Sequence, residues 1–580
     1  MKNLLALTAL LAPVSALAPL PALAQGMVTS ADPRATEAGR EILRAGGSAA
    51  DAALAMMLAL TVVEPQSSGI GGGGFLLHQP AKGPLETIDG REKAPMAATP
   101  DRFLGADGKP IPFVQAFPGG KSVGVPGNIR LAALASKKWG KLPWKALFTP
   151  AIRLAENGYT VTRPMASAST NLTPMWGGGS TAVAGPEGGT STGVADAAGR
   201  FPQIAAMYSR NGKPLAQGET IKNPTLAKLL RKIAAEGPDA FYTGDNAKAL
   251  LTAVTTSKVA PGDMTAADLT AYQAKERAPV CGTYRTYKVC GMGPPSSGAT
   301  TVLQILGMLE RFDLAKLGKD SPESWHLIAE AMQLAYADRD KYLGDADFVD
   351  VPVAGLIDKG YIAQRSALIS PTRALGRYEP GTPPGAQPRT AGDQPNEHGT
   401  THFIAVDRKG DVATMTSTIE MPFGSQLMAN GFVLNNELTD FSLAPEKNGA
   451  PVANRVEPGK RPLSSMSPTI VYDASGTPVF TVGAAGGKTI IMQVAKAIIA
   501  HFDWKLPARD ALGLGLVFFN NDGIVLEQGT ILAPMKPALE AMGHKVSVAR
   551  LGLKANAAEK TATGWVGAAD PRGVGNALSE

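Results

Sequence analysis

One glycine–threonine pair in this sequence could supply a catalytic nucleophile. It lies where a Pro/Gly-rich tract ends and a predicted strand begins. Residues 370–399 are rich in proline and glycine, and Gly399-Thr400-Thr401-His402 stands at their end. If the bond between Gly399 and Thr400 were cut, Thr400 would carry a free α-amino group with a pKa of about 7.7–8. Such an amine can accept the proton of its own residue's hydroxyl, so one residue would supply both nucleophile and base.

Other catalytic signatures are missing from the sequence. It contains no HExxH spacing and no cysteine cluster, which argues against a zinc or iron enzyme. A nucleophile that needs no histidine fits better, and we expect neither a metal nor another cofactor. The histidines are scattered along the chain at His78, His326, His398, His402, His501 and His544.

The composition excludes several classes of protein. The chain has 580 residues and a mass of 60.0 kDa, which favours several domain-sized units or one large layered fold. Hydrophobic residues make up 44%, which argues against disorder, and 65 glycines with 45 prolines favour a turn-rich fold over a helical bundle. The net charge of +6 is small and no dense basic run occurs, so nucleic acid is not an expected partner.

The N-terminus reads as a secretory signal peptide over residues 1–24. Lys2 supplies the positive start, an apolar stretch follows, and Ala22-Leu23-Ala24 has the small-x-small pattern of a cleavage site. The alternative is a membrane anchor, which Pro13 and Pro19 within the apolar stretch disfavour. We therefore expect a periplasmic or secreted protein that is not inserted in the membrane once the signal is removed.

Two cysteines lie in a predicted β-hairpin. The alternating segment from Cys281 to Cys290 predicts two strands that turn at Arg285-Thr286, which would place the thiols directly opposite each other. In an oxidising compartment this arrangement suits a disulfide, whereas a shift of one residue in the turn would leave two packed thiols.

The remaining pattern predicts stacked sheets covered by helices, an α+β fold. Four glycines at 71–74 lack the spacing of a phosphate loop and precede a strand, so we expect them to allow close backbone packing. A capping box at Ser48 and Asp51 predicts an alanine-rich helix that ends before Glu64. Further predicted helices cover residues 36–45, 226–235, 300–312, 322–343, 490–502 and 536–542. Predicted strands cover residues 75–77, 87–89, 401–407, 412–418, 431–434, 469–472 and 479–482.

Several long motifs occur in a fixed order along the chain. They are Ile88-Asp-Gly-Arg-Glu92, Ala337-Asp-Arg, Tyr342-Leu-Gly-Asp345, Thr400-Thr-His-Phe, Leu434-Asn-Asn-Glu-Leu-Thr-Asp-Phe-Ser442, Arg461-Pro-Leu-Ser-Ser-Met-Ser-Pro-Thr469 and Gly483-Ala-Ala-Gly-Gly487. Together they resemble the γ-glutamyltranspeptidase (glutathione hydrolase) family of N-terminal-nucleophile hydrolases. The resemblance covers nearly the whole chain after the signal peptide.

The resemblance implies an architecture and a maturation. The fold would be an αββα sandwich in which helices cover two stacked, antiparallel-rich sheets. The precursor would be cut into a large subunit, residues 25–399 with the strap 370–399 at its end, and a small subunit, residues 400–580, and the two would form a heterodimer. The substrates would be glutathione and related γ-glutamyl compounds, with water or an amino acid or dipeptide as acceptor.

The resemblance also implies catalytic roles. The cleavage site would be Gly399–Thr400, and Thr400 would then attack the γ-amide carbonyl to form an acyl-enzyme. Thr418 matches a second threonine that hydrogen-bonds the nucleophile. Gly486 and Gly487 match the pair of backbone N–H groups that form the oxyanion hole, where glycine lets the chain approach the developing charge.

Substrate recognition follows from the same comparison of motifs. Arg91, with Ser464 and Ser465, matches the group that binds the α-carboxylate of the glutamyl unit, since a guanidinium forms two parallel charged hydrogen bonds with a carboxylate. Glu437 and Asp440 match the acceptors of the α-ammonium group.

The sequence departs from the family pattern in two places. Glu420 stands where the family often has asparagine, and an added carboxylate there can reinforce ammonium binding or point elsewhere. The segment 442–461 is shorter than the lid of some members and lacks an aromatic residue to close over the pocket. A more open cleft would favour water as the acceptor.

Two other functions remain open at this stage. A glutaryl or cephalosporin acylase has the same fold but a substrate that need not carry an α-ammonium group. A non-catalytic periplasmic amino-acid-binding protein would never be cut. The acids at Glu437 and Asp440 favour a γ-glutamyl substrate over that of an acylase, while Glu420 leaves room for the acylase. A single band on a gel after expression would favour the binding protein.

Overall fold

Two antiparallel sheets form the centre of the molecule. The computed structural model describes residues 26–176, 183–184, 190–191, 199–394, 399–520 and 522–580, so the predicted signal peptide and residues 395–398 of the strap lie outside the described residues. The strands of the two sheets are, in chain order, β1 (Met27–Ser30), β2 (Gly73–Gln79), β3 (Glu86–Asp89), β4 (Lys275–Arg277), β5 (Val280–Tyr284), β6 (Tyr287–Gly291), β7 (Gly399–Val406), β8 (Val412–Glu420), β9 (Thr469–Tyr472), β10 (Pro478–Ala485), β11 (Lys554–Thr561), β12 (Gly564–Ala569) and β13 (Asn576–Ser579).

The first sheet has the strand order β4-β3-β2-β8-β7-β1-β13, and the second has the order β5-β6-β9-β10-β11-β12. A small three-stranded sheet is made of Val517–Asn520, Gly523–Glu527 and Val546–Ala549. Two-residue strands pair locally at Tyr159–Thr160, Val183–Ala184, Thr190–Ser191, Ser209–Arg210, Lys213–Pro214, Thr220–Ile221, Met428–Ala429, Phe432–Val433, Glu446–Lys447 and Ala450–Pro451. The predicted strand at 431–434 is thus shortened to two residues.

Helices lie before, between and after these strands. The α-helices are Pro33–Arg44, Ala49–Val63, Phe113–Ala116, Asn128–Trp139, Thr149–Asn157, Arg163–Trp176, Pro202–Tyr208, Pro224–Glu236, Asp239–Tyr242, Gly244–Thr255, Ala266–Thr270, Gly298–Leu309, Leu314–Leu317, Pro322–Tyr342, Val353–Leu356, Lys359–Ala367, Thr489–Phe502, Ala508–Gly513 and Lys536–Ala541. Single 3-10 turns are Gly120–Ser122, Trp144–Phe148, Glu437–Asp440 and Ala533–Met535.

The two sheets stack face to face with helices outside them. Along β7, Phe403 and Ala405 join the core under the helix Ala49–Val63, while Ile404 and Val406 join the core shared with the second sheet. This alternation follows from the two-residue period of a strand that is buried on both faces. The helices Gly298–Leu309 and Thr489–Phe502 pack on the second sheet, against β5 and β10. The predicted αββα sandwich is confirmed.

Local signals correctly placed several elements. Ser48 and Asp51 form the predicted capping box at the start of the helix Ala49–Val63. Cys281 pairs with Cys290 across the hairpin of β5 and β6, the turn falls on Arg285 and Thr286, and a disulfide joins the two sulfurs. In the part of the chain that the structure describes, helices long and apolar enough to cross a membrane are lacking.

Candidate active site

Thr400 lies at the start of β7, in the middle of the first sheet, and is only 1% exposed. Its hydroxyl donates to the hydroxyl of Thr418 on the neighbouring strand at 3.2 Å. The Thr418 hydroxyl in turn donates to the carbonyl oxygen of Gly399 at 2.6 Å and accepts the backbone N–H of Glu420 at 2.8 Å. A chain of hydrogen bonds therefore runs from the candidate nucleophile to the carbonyl of the candidate cleavage site.

An irregularity in strand pairing sets this geometry. Gly399 pairs with Glu420 and Thr400 with Thr418, so Ile419 is an extra residue on β8. Glu420 has a φ of 76°, a conformation that is rare for a residue with a side chain. β-Bulges of this kind redirect side chains and are common beside active sites. A side chain at position 399 would press on the backbone carbonyls of Glu420 and Met421, so glycine is required before the nucleophile.

The four glycines at 71–74 bring β2 and its preceding loop close to the site. A side chain at Gly71 would collide with the carbonyl oxygen of Val433, and one at Gly72 with that of Thr418. One at Gly73 would lie 2.5 Å from a carboxylate oxygen of Glu92. The prediction that these glycines allow close backbone packing is confirmed.

His402 lies on the same face of β7 as Thr400, two residues further on. Its ring nitrogens bond the hydroxyls of Thr416 at 2.8 Å and Thr414 at 3.1 Å, and the ring packs against Gly483 of the second sheet. Burial lowers the pKa of His402 to about 3, so the ring is neutral. This histidine is engaged by the sheet, which fits a nucleophile that takes its base from elsewhere.

Arg91 forms the centre of a second, charged region. Its guanidinium makes ion pairs with Glu437 and Asp440. It also donates to the carbonyl oxygens of Pro462 at 3.2 Å and Leu463 at 3.0 Å. The fold therefore brings together Arg91, Glu437 and Asp440, which the sequence predicts to bind the substrate, and all three are buried.

Carboxyl groups outnumber the single guanidinium of Arg91 in this region. Glu92 is fully buried, 3.8 Å from Arg91, and neither of its carboxylate oxygens has a hydrogen-bond partner among the described residues. Burial raises the pKa of Glu92 to about 8, against the opposing effect of Arg91. Burial also raises the pKa of Glu437 well above its ordinary value, since Arg91 only partly offsets the cost of removing that carboxylate from water. The guanidinium of Arg91 is thus the shared ion-pair partner of Glu92, Glu437 and Asp440.

Glu420 connects the charged region to the hydroxyl pair. Its carboxylate accepts the side-chain amide of Asn436, which also accepts the backbone N–H of Met421 at 2.9 Å. Asn436 directly precedes Glu437 at the start of the 3-10 turn. Hydrogen bonds therefore run without a break from Thr400 through Thr418 and Glu420 to Asn436. Asn436 is the residue before Glu437, which pairs with Arg91.

The two predicted serines lie beside Arg91 but are held by other groups. Ser464 exchanges backbone hydrogen bonds with Pro295 and Ser297, both at 2.8–2.9 Å, and its hydroxyl accepts the N–H of Met466 at 3.2 Å. The hydroxyl of Ser465 accepts a guanidinium hydrogen of Arg339 at 2.9 Å. The preceding residue, Leu463, supplies a carbonyl to Arg91, which places both serines near the cluster.

Gly486 and Gly487 form the turn between β10 and the helix Thr489–Phe502. Both have positive φ, 119° and 58°, which glycine tolerates best. Their carbonyls accept the N–H groups of Thr489 and Ile490, so the two glycines stand at the N-terminus of that helix, where backbone N–H groups lack acceptors within the helix. Gly483, on β10 just before this turn, packs against His402.

The strap packs along the helix Pro322–Tyr342 and reaches the site. Gly381 and Gly392 bond Asp338 and Asp340 of that helix, and Gln394 bonds Arg339 and the carbonyl of Leu463. The segment that precedes the candidate cleavage site therefore lies beside the charged region around Arg91, and residues 395–398 lie outside the described part.

Two residues of the site were not predicted from the sequence. Glu92 follows Arg91 within a motif that was noted, but nothing in the sequence indicates that its carboxylate is buried. Asn436 also lies in a noted motif, and only the fold brings it to Glu420.

Comparison with known proteins gives one consistent result. The sequence profile of the γ-glutamyltranspeptidase family matches residues 35–579. The glutathione hydrolase proenzyme of Bacillus subtilis strain 168 is 38% identical over 532 residues, which span 90% of this chain and 85% of that protein. The solved structure of cephalosporin acylase from Bacillus halodurans has a TM-score of 0.82 at 26% identity and covers 98% of both chains. That of γ-glutamyltranspeptidase from Helicobacter pylori has a TM-score of 0.55 at 34% identity and covers 65% of this chain and 99% of that one.

An αββα sandwich with a buried hydroxyl residue at the start of a central strand is the arrangement of the N-terminal-nucleophile hydrolases, and this molecule has it. Within that class, the chain belongs to the γ-glutamyltranspeptidase family.

Proposed function

We propose that the protein is a self-cleaving γ-glutamyl hydrolase and transferase that breaks the γ-glutamyl amide of glutathione and related compounds. The observation that carries the proposal is the hydrogen-bonded chain from Thr400 through Thr418 to the Gly399 carbonyl, at the start of a central strand and connected to the Arg91 cluster. A family whose members are named glutathione hydrolase supports the same activity.

Maturation would use the same hydroxyl as catalysis. The oxygen of Thr400 attacks the carbonyl carbon of Gly399, the bond to the Thr400 nitrogen breaks, and that nitrogen leaves as an amine. Thr418 is positioned to donate a hydrogen bond to the carbonyl oxygen as it becomes negative, since it already does so at 2.6 Å. Water then hydrolyses the resulting ester, which leaves a large chain that ends at Gly399 and a small chain that begins with Thr400.

In the mature enzyme the Thr400 amine would serve as the general base. It accepts the hydroxyl proton while the oxygen attacks the γ-amide carbonyl, and the proton then passes to the departing amine. The N–H groups of Gly486 and Gly487 would stabilise the negative oxygen of the tetrahedral intermediate. Water, or the amine of an amino acid or dipeptide, would release the glutamyl group from Thr400.

The charged region would recognise both ends of the glutamyl α-carbon. Arg91, with Ser464 and Ser465 beside it, would bind the α-carboxylate, and Glu437 with Asp440 would bind the α-ammonium. The excess of buried acids supports an ammonium-bearing substrate, because its positive charge would favour the ionised form of acids whose pKa burial now raises. Glu420, bonded to Asn436 beside them, would add to that attraction.

The described state is that of the uncut chain, and recognition requires it to open. Arg91 is fully buried and already bonded to two acids and two carbonyls. A substrate carboxylate can reach it only if the acids turn to the ammonium group. Cutting at Gly399 would free the strap, whose Gln394 touches both Arg339 and Leu463, and would allow this rearrangement.

An acylase that removes glutaryl groups is the second candidate, because the full-length structural similarity to a cephalosporin acylase favours it. The test uses two chromogenic anilides that differ only in the α-amino group: γ-glutamyl-p-nitroanilide and glutaryl-p-nitroanilide. We expect a higher kcat/KM for the γ-glutamyl compound. A preference for the glutaryl compound would assign the protein to the acylases, and an uncut chain that binds amino acids without turnover would make it a binding protein.

We propose export as the setting of this activity. The N-terminal pattern of residues 1–24 and the disulfide between Cys281 and Cys290 both fit a periplasmic or secreted protein. Sequencing of the large chain from culture fractions would test it, with Gln25 as the expected first residue.

A further inference from the structure

A cluster of two histidines and a glutamate lies away from the active site, under the start of the strap. His326 and Glu330 are one turn apart on the helix Pro322–Tyr342, and His544 comes from the connection after the helix Lys536–Ala541. One nitrogen of each histidine and one carboxylate oxygen of Glu330 lie within 4.8 Å of one another, and all three residues are buried. We propose that this cluster is a binding site for a divalent transition-metal ion, with Zn²⁺ as the best match.

The donor atoms match the preferences of zinc. Two imidazole nitrogens and one carboxylate oxygen form a known zinc ligand set, with the fourth position taken by water. One ligand of the cluster, His544, lines a cavity of about 340 Å³, together with Tyr378 and Asp522 among others. This cavity gives an ion a path to the cluster and leaves room for the water.

His326 is already oriented by its hydrogen bonds as metal-binding histidines usually are. Its Nε2 lies 2.7 Å from the carbonyl oxygen of Ser370, a group that can only accept, so Nε2 carries the hydrogen and Nδ1 presents a lone pair to the cluster. Metal-bound histidines usually donate their second nitrogen to a backbone carbonyl or carboxylate in this way. Nδ1 instead faces Nε2 of His544 at 2.7 Å, and that hydrogen bond would be exchanged for two bonds to the ion.

The required movement is small. Zn–N distances of about 2.0–2.1 Å place two ligands of a tetrahedral ion roughly 3.3 Å apart, so the two nitrogens must separate by roughly 0.6 Å. His544 follows Gly543 in a short connection, and its ring borders the cavity, so this side of the cluster can move.

Glu330 is the third ligand and is also fixed from behind. Its two oxygens accept the N–H of Leu375 at 3.0 Å and the hydroxyl of Tyr378. Both donors are neutral groups of the strap, so a buried carboxylate lacks a full positive charge that an ion would supply. The ion would thereby bind the helix Pro322–Tyr342 and the start of the strap to His544.

The position of the cluster gives the ion a role that rests on the proposed function. After a cut at Gly399–Thr400, His326 and Glu330 would belong to the large chain and His544 to the small chain. The ion would then join the two chains at a point away from the catalytic threonine. The expectation from the sequence that no metal is bound arose because His544 stands 218 residues from His326.

Titration of tag-free protein with Zn²⁺ after treatment with a chelator tests the site, with isothermal calorimetry as the measurement. We expect one equivalent to bind. His544→Gln and Glu330→Gln, which keep hydrogen-bonding groups of similar size, should each weaken binding roughly tenfold or more. His501→Gln is the matched control, since His501 is half-buried and lies outside the cluster, bonded to the carbonyl oxygen of Leu506.

Two further measurements separate the possible failures. Circular dichroism and the Tm of each variant without zinc show that the fold is kept, and added Zn²⁺ should raise the Tm of the wild type but not of His544→Gln. The same titration on the uncut Thr400→Ala chain should also give one equivalent of Zn²⁺. This result does not depend on whether the proposed γ-glutamyl activity is right. Absence of stoichiometric binding in the wild type, or equal binding in the Glu330 and His544 variants, would overturn the proposal.

Discussion

Around Thr400 the candidate site is made of neutral hydroxyl groups on adjacent strands, whereas around Arg91 it is made of buried ions on segments far apart in the chain. Thr400 and Thr418 are held by the register of one hairpin, 18 residues apart. Arg91 and Glu437 are 346 residues apart and meet only because the whole fold closes. The region around Thr400 fixes the positions of the reacting atoms. The region around Arg91 determines which charged groups of a substrate the site can bind.

This difference predicts two kinds of response to mutation. Loss of a hydroxyl at a fixed position removes a step of the reaction, so its effects should be large and appear in cleavage and kcat. Changes among the ions alter how well the site tolerates a substrate's charges, so their effects should be smaller and appear in KM or in substrate preference.

Thr400→Ala should have the largest effect. It should leave the chain uncut and lower γ-glutamyl hydrolysis by about 10⁴-fold or more, because the attacking oxygen of both reactions is lost. Denaturing gels and release of p-nitroaniline measure the two effects. Thr400→Ser is the matched control and should still be cut; a cut or active alanine variant would show that the nucleophile lies elsewhere.

Thr418→Val should come next, with cleavage and kcat each lowered on the order of 100-fold, because the variant keeps the shape but loses the hydrogen bond to the Gly399 carbonyl. The rate of precursor conversion after purification and the steady-state kcat are the measurements. Thr414→Val serves as control, since Thr414 is a buried threonine of the same strand that bonds His402. Equal behaviour of the two valine variants would remove Thr418 from the reaction.

Arg91→Lys should lower kcat/KM roughly 10–100-fold, mainly through KM, because an ammonium group cannot make the two parallel bonds of a guanidinium. Initial rates across substrate concentrations separate the two constants. Arg102→Lys is a suitable control, since Arg102 is also buried and pairs with Asp263 through two bonds of 2.8 and 2.9 Å. A change in kcat alone would place Arg91 with the reacting groups instead.

Glu420→Gln should have the smallest effect, roughly a five- to tenfold loss in the preference for γ-glutamyl over glutaryl anilide, because one carboxylate near the ammonium position is neutralised while the bond to Asn436 can be kept. Glu64→Gln, at a buried carboxylate paired with Lys554, controls for loss of a buried charge as such. An unchanged preference would mean that Glu420 acts only on the backbone of the bulge.

Local elements of the fold could be predicted because their signals lie within a few residues. The capping box at Ser48, the hairpin of β7 and β8 and the turn at Arg285 depend on neighbours in sequence. The strands β1, β4, β11, β12 and β13 were not predicted. β1 pairs with β7 and β13, which lie several hundred residues away, and such pairing leaves little trace in a four-residue segment.

The candidate site also has parts that could be predicted from the sequence and parts that could not. The position of Thr400 at a strand start could be derived from composition and alternation alone, and the partners of Arg91 came from the resemblance to a family. The burial of Glu92 against Gly73 and the bridge from Asn436 to Glu420 could not be predicted, because they depend on how loops pack in three dimensions.

The most direct test of this account is the mass and N-terminal sequence of the small chain from purified, active protein. A chain that begins with Thr400 and ends with Glu580, recovered together with glutathione hydrolysis, is the predicted result. An intact polypeptide that turns over glutathione at the same rate, or a small chain that begins at another residue, would contradict it.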